Sequence, residues 1–234
     1  MGEMKNKFTV NSILGLAGIV VIAGCGGSQP LRGTSSVGAG AKPRVRVVDA
    51  LTNPAAVSVD VAGSSVIGVS RFGGVSTYQA FNAGNDSVIF NNSTQNSILL
   101  NQSLPFQFNA SYTVIGYQSA NGPALMQLSD INQPNSALTS IRFTKVGGNS
   151  TQTVDLYITD LGDSIDDLGP AFLAVPLGSD SQRYVTLNFG TYEITETATG
   201  SKVPLIHETI DFGGGSATTI LDDGTNTFLT LQDQ

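Results

Sequence analysis

The sequence predicts an all-β protein built as two tandem antiparallel β-sandwich domains, and three observations carry that prediction. Apolar residues fall at alternate positions in short runs divided by Gly, Asn, Asp or Ser. No window of a dozen residues keeps a helical period between caps, and Gly at 27 of 234 positions interrupts most candidates. The runs also return in the same order at an offset of roughly 95 to 105 residues.

The N-terminus precedes this pattern. Lys5 and Lys7 stand ahead of an apolar stretch from Phe8 to Ala23, the layout of a secretory signal peptide. Sixteen helical residues rise only about 24 Å, short of a hydrocarbon core of roughly 30 Å, so removal after export fits better than a permanent span. The stretch ends in Ile22-Ala23-Gly24-Cys25, which resembles the bacterial lipobox. Cleavage between Gly24 and Cys25, with diacylglycerol on the Cys25 thiol, is therefore expected. Because each buried CH₂ contributes about 0.8 kcal/mol, two acyl chains hold a protein on a membrane where one does not. Cys25 is the single cysteine, so the exported domains have no internal disulfide and depend on packing. Gly26 follows the cysteine where inner-membrane lipoproteins commonly carry Asp, which points to the outer membrane.

Residues 25–43, rich in Gly, Ser and Thr, read as the lipidated cysteine and a flexible tether. Without residues 1–24 the chain loses Lys5, Lys7 and Glu3, which leaves nine of eleven basic and seventeen of eighteen acidic side chains, a net charge of −8. A surface of that sign excludes nucleic acid as a partner.

From Arg44 onward the strands follow. Val45 and Val47 alternate with Arg44 and Arg46; Val57, Val59 and Val61 with Ser58 and Asp60; Tyr112, Val114 and Gly116 with Thr113 and Ile115. Such alternation predicts strands half buried against a core. The repeat pairs Arg44-Val-Arg-Val-Val with Ser140-Ile-Arg-Phe-Thr, and Val57-Ser-Val-Asp-Val with Val154-Asp-Leu-Tyr-Ile. It continues with Tyr78 to Gly84 against Thr186 to Gly190, and with Ile98 through Thr113 against Leu205 through Thr219. Asn132-Gln-Pro-Asn-Ser-Ala-Leu138, polar and proline-bearing, lies between the copies. The expected organisation is a first sandwich over 44–131, a linker over 132–138 and a second sandwich over 139–234, each Ig-like or prealbumin-like.

This ordered set resembles the bacterial envelope family known as domain of unknown function 4397. Arg44 to Ala50, then Asn53-Pro-Ala-Ala-Val-Ser-Val-Asp-Val-Ala-Gly63, is similar to its opening strand, Pro-Ala segment and Gly-closed second strand. In the second copy Gly147-Gly-Asn-Ser-Thr-Gln152 stands where the Pro-Ala turn is expected. The resemblance implies an envelope β-sandwich and carries over no enzymatic residues.

The chemistry readable from the sequence is sparse. His207 is the only histidine, which excludes zinc sites of two or three imidazoles and leaves one residue for any Ser-His-Asp set. No G-x-S-x-G elbow exists, and Gly213-Gly-Gly-Ser216 reads as a turn. Alternation puts His207 with Leu205, Thr209 and Asp211 on an outer face, opposite Ile206, Ile210 and Phe212. Thirteen of the acidic residues lie after residue 138 with only four basic ones, so the second half is net −9. Asp160, Asp163, Asp166 and Asp167 are expected in one loop, with Asp222 and Asp223 in another; the first group is the candidate calcium site, set against the plainer reading of a solvated acidic loop. The first half instead displays Asn82, Asn85, Asn91, Asn92, Asn96, Asn101 and Asn109 with Tyr78 and Tyr117, which suits sugar stacking and hydrogen bonding but equally turn formation. The sequence therefore points to a non-catalytic, lipid-anchored binding or structural module of the cell envelope. Its partners are the membrane through Cys25 and an envelope protein or glycan, with a carbohydrate-binding or adhesive surface protein as the alternative.

Overall fold

The structure, a computed structural model, describes residues 40–53, 56–133, 135–148, 151–179 and 183–233. The expected signal peptide, Cys25 and nearly all of the expected tether fall outside these residues. Among the described residues there are only strands and their connections. The first half contains β1 (Arg44–Ala50), β2 (Val57–Val61), β3 (Ser64–Ser70), β4 (Gly74–Val75), β5 (Gln79–Ala80), β6 (Gly84–Asn92), β7 (Ser97–Phe106), β8 (Ser111–Ser119) and β9 (Gly122–Asp130). The second contains β10 (Leu138–Gly147), β11 (Val154–Asp160), β12 (Phe172–Val175), β13 (Val185–Asn188), β14 (Gly190–Ala198), β15 (Pro204–Phe212), β16 (Ser216–Asp223) and β17 (Phe228–Asp233).

Each half folds into two sheets with matching order. In the first, β4-β1-β8-β9, with β5 also on β1, faces β3-β2-β6-β7; in the second, β13-β10-β16-β17 faces β12-β11-β14-β15. The predicted antiparallel sandwiches each contain one parallel pair. β1 runs parallel to β8, with Val47 opposite Val114, and β10 runs parallel to β16, with Arg142 opposite Thr219. The chain leaves β1 and β10 to build the facing sheet before returning, and such a long excursion permits a parallel neighbour where a hairpin would not.

Alternation sorts side chains between two cores and an interface. Val45, Val47, Val59, Phe90, Phe106 and Val114 fill the space between the two first-half sheets. Ile141, Phe143, Leu156, Ile194, Phe212 and Ile220 do the same in the second half. The opposite faces of the β1 and β10 sheets meet each other: Val48, Ala50, Ile115, Met126 and Leu128 pack against Val146, Leu221 and Leu231. Residues Ala39–Gln234 thus cluster as one compact unit. The sheets stack in four layers, and β1, β8, β10 and β16 are buried on both faces rather than on one. Each fully buried Val, Leu or Ile in such a layer contributes about 1.5–3 kcal/mol, so the interface is a third core rather than a surface contact.

Candidate functional site

The repeated arginines of the sequence, Arg46 on β1 and Arg142 on β10, lie in that interface and are almost fully buried. Arg46 donates from Nε and Nη2 to the Thr113 hydroxyl at 3.2 and 2.7 Å, and from Nη1 to the carbonyl of Gln232 at 2.7 Å. Arg142 donates to the Thr219 hydroxyl at 3.1 and 2.7 Å and to the carbonyl of Ser129 at 2.8 Å. Each guanidinium therefore holds a threonine of its own half and a carbonyl of the other. The carboxylates complete the exchange: Arg46 pairs with Asp233 at 2.8 Å and Arg142 with Asp130 at 2.6 Å. Thr113 donates onward to Asp130 and Thr219 to Asp233. Tyr78 and Tyr184 donate their hydroxyls to the same two aspartates, at 2.8 and 2.7 Å, with the Arg46 and Arg142 guanidinia over their rings at 4.7 and 4.8 Å. The arrangement is a pseudo-two-fold set in which every charge is paired, as buried charges must be. Burial and the neighbouring Asp130 carboxylate push Asp233 above the usual carboxylate range, against the pull of Arg142. Burial and the Asp130 charge likewise raise the Tyr78 phenol; burial raises Tyr184, with the Asp233 charge adding to it against Arg142. Both phenols stay protonated donors.

This placement corrects the reading of Tyr78 as a sugar-stacking residue, since its ring is covered by Arg44 and Arg46. Tyr117 packs into the interface cluster as well. The asparagines do turn work where they are most engaged: Asn92 Oδ1 accepts the amides of Thr94 and Gln95, and Asn109 Oδ1 that of Ala41. Asn96 and Asn109 adopt left-handed backbone conformations, φ 49° and 60°.

The halves differ at one cluster of core positions. Register makes Asp49, opposite Gly116, equivalent to Lys145, opposite Asp222; it makes Phe90, opposite Val59, equivalent to Glu196, opposite Leu156. In the first half the Phe90 ring lies on Gly116, where an added Cβ would come within 2.4 Å of it. In the second half that apolar contact is replaced by a buried Lys145–Asp222 ion pair with Glu196 Oε1 at 3.8 Å from the ammonium. Glu196 Oε2 is buried without a hydrogen-bond partner. Burial and the Asp222 charge outweigh Lys145 and push the Glu196 carboxyl up to about 8. The expectation that Asp222 and Asp223 form a solvated loop is thus corrected: both are buried at the end of β16, and Asp223 accepts the amide and hydroxyl of Thr225.

The other predicted residues lie at the surface. Asp160 ends β11, and Asp163, Asp166 and Asp167 follow in an exposed loop where Asp166 accepts the Ser164 hydroxyl. Among the described residues no three His, Cys, Asp or Glu side chains gather to hold a metal ion, so the calcium candidates form no ligand set. His207 is exposed on β15, the edge strand of its sheet, with Nδ1 2.9 Å from the Thr195 hydroxyl across the strand pair. Glu208, inward between Ile206 and Ile210, is explained by its Oε1 accepting the Phe228 amide at 3.1 Å. Asp160 and Asp163 do meet a feature that sequence reasoning missed. They line an open cleft of about 560 Å³ with Thr159, Leu187, Asn188 and Tyr192, where the ends of β11, β13 and β14 converge.

Residues 43–157 match the family model described as Domain of unknown function (DUF4397). That stretch takes in the whole first half and runs on through β10 to Tyr157 in β11. No curated protein matches the sequence. Solved structures with some likeness include a streptococcal virulence factor described for alpha-glucan binding, with 11% identity, 80% of this chain and 96% of that chain covered, and a TM-score of 0.28. A family 26 carbohydrate-binding module from Eubacterium rectale in complex with maltoheptaose has 12% identity, covers 81% and 96%, and has a TM-score of 0.24. TM-scores this low define neither fold nor ligand.

Proposed function

We propose that this chain is a lipid-anchored, non-catalytic binding or structural module of the cell envelope, held on the outer membrane through Cys25 and a tether reaching to residue 43. Its two domains, 44–131 and 139–234, act as one rigid body. The observation that carries this reading is the reciprocal arginine exchange. Arg46, Arg142, Asp130 and Asp233 are committed to joining the halves, and they fix the two outer sheets as presentation surfaces at opposite ends of the stack. Exposed His207, on an edge strand, pairs with a buried threonine. A fold of this type hosts many functions, so the warrant is the use of its polar residues and not the fold.

The test is metabolic labelling with radioactive palmitate followed by membrane fractionation. The wild-type chain is expected to take up label and sediment with membranes, and Cys25→Ser to do neither. Normal labelling of that variant would overturn the anchoring. A second reading, glycan binding, is favoured by one feature: the cleft beside Asp160 combines carboxylates, an amide and an aromatic ring.

A further inference from the structure

We infer that the cleft between the ends of β11, β13 and β14 is a saccharide site, sized for one or two hexose rings; the inference rests on the glycan-binding reading above. A sugar offers hydroxyls on its rim and C–H groups on its faces, so a site needs acceptors, donors and an apolar platform together. This cleft has all three. Asp160 and Asp163 supply exposed carboxylate acceptors, Asn188 supplies an amide, and Leu187 and Tyr192 form an apolar wall. Tyr192 is held in place by its hydroxyl donating to the Asn188 carbonyl at 2.9 Å and by its ring lying 6.3 Å from that of Phe212.

The lining contains no Lys or Arg, which excludes phosphate and carboxylate ligands, and too few carboxylates converge for a metal ion. A volume of about 560 Å³ lies in the ordinary range of small-molecule sites.

The experiment is calorimetry and two-dimensional NMR on the chain from residue 26 onward, titrated with oligosaccharides of α-glucan, β-glucan and chitin type and with muropeptide fragments. Asp160→Ala combined with Asp163→Ala is compared with the parent, and Asn188→Ala serves as a second variant. Both sets of substitutions are at exposed positions, and thermal melting checks that the fold is kept. Binding of one glycan class that weakens roughly tenfold or more in both variants, with shifts confined to the cleft, is the expected result. Binding retained within about twofold would overturn the cleft while leaving glycan binding in place elsewhere on the molecule. No binding of any of these probes by the parent chain would overturn the cleft and the glycan reading together, and would leave the envelope-module reading standing.

Discussion

Arg142 reaches from the second half to Asp130 of the first, Nη2 to Oδ1 at 2.6 Å, and Arg46 makes the same reach in the other direction to Asp233 at 2.8 Å. The reciprocity makes each half both donor and acceptor in one buried network. Removing one partner leaves a charge in a layer that water does not reach, which is far costlier than losing a surface pair.

Arg142→Ala is therefore expected to destabilise the protein by about 3–5 kcal/mol, measured by chemical denaturation. Arg142→Lys recovers only part of this, because an ammonium cannot serve Thr219, Asp130 and the Ser129 carbonyl in one planar fork. In a double-mutant cycle, Arg142→Ala with Asp130→Ala should cost clearly less than the two singles together. Strict additivity would mean that the pair does not couple.

Cleavage between residues 131 and 138 should leave two fragments that stay together under native conditions, since Val48, Ile115 and Leu128 remain packed on Val146, Leu221 and Leu231. Size-exclusion chromatography of the nicked protein checks this. Fragments that elute separately would show that the connection, not the interface, holds the halves.

Glu196 sets a pH dependence. Its carboxyl is raised from 4.5 to about 8 in the folded protein, so between those values the folded state binds more protons than the unfolded one. Stability from this group is fully present below pH 4.5 and declines as pH rises to about 8, where the loss is complete. Glu196→Gln, which mimics the protonated form, should match the wild type near pH 4.5 and gain on it with rising pH, by on the order of 2–4 kcal/mol at pH 8. A constant difference in melting temperature across that range would show that Glu196 does not titrate there.

Gly116→Ala should cost about 1–3 kcal/mol, because the added methyl meets the fully buried Phe90 ring. Gly68→Ala on β3, where an added Cβ meets nothing within 4 Å, is the matched control and should be close to neutral. Equal effects of the two in thermal melts would contradict the packing described for Phe90.

Much of this architecture was legible in the sequence, for a physical reason. Alternation survives burial, so Val57 to Val61 and Leu205 to Phe212 show their inner and outer faces directly. The equivalence of Arg46 and Arg142 was readable because both strands open their halves. The equivalence of Tyr78 and Tyr184 was not: Arg46 to Arg142 spans 96 positions but Tyr78 to Tyr184 spans 106, owing to extra residues between β11 and β14 that break a fixed offset. Nor could composition place Asp222 and Asp223. Acidic pairs suggest solvent, whereas here Lys145, 77 positions away, lies opposite one of them inside the second sandwich. The cleft escaped because its residues come from three strand ends that only the sheet topology brings together.

The most direct test of the central claim is a paired measurement on the intact, purified protein: a broad hydrolase panel beside saturable binding to native envelope fractions. The account predicts saturable binding with no turnover, unaffected by His207→Ala. Robust turnover abolished by His207→Ala, with no envelope binding, would contradict it.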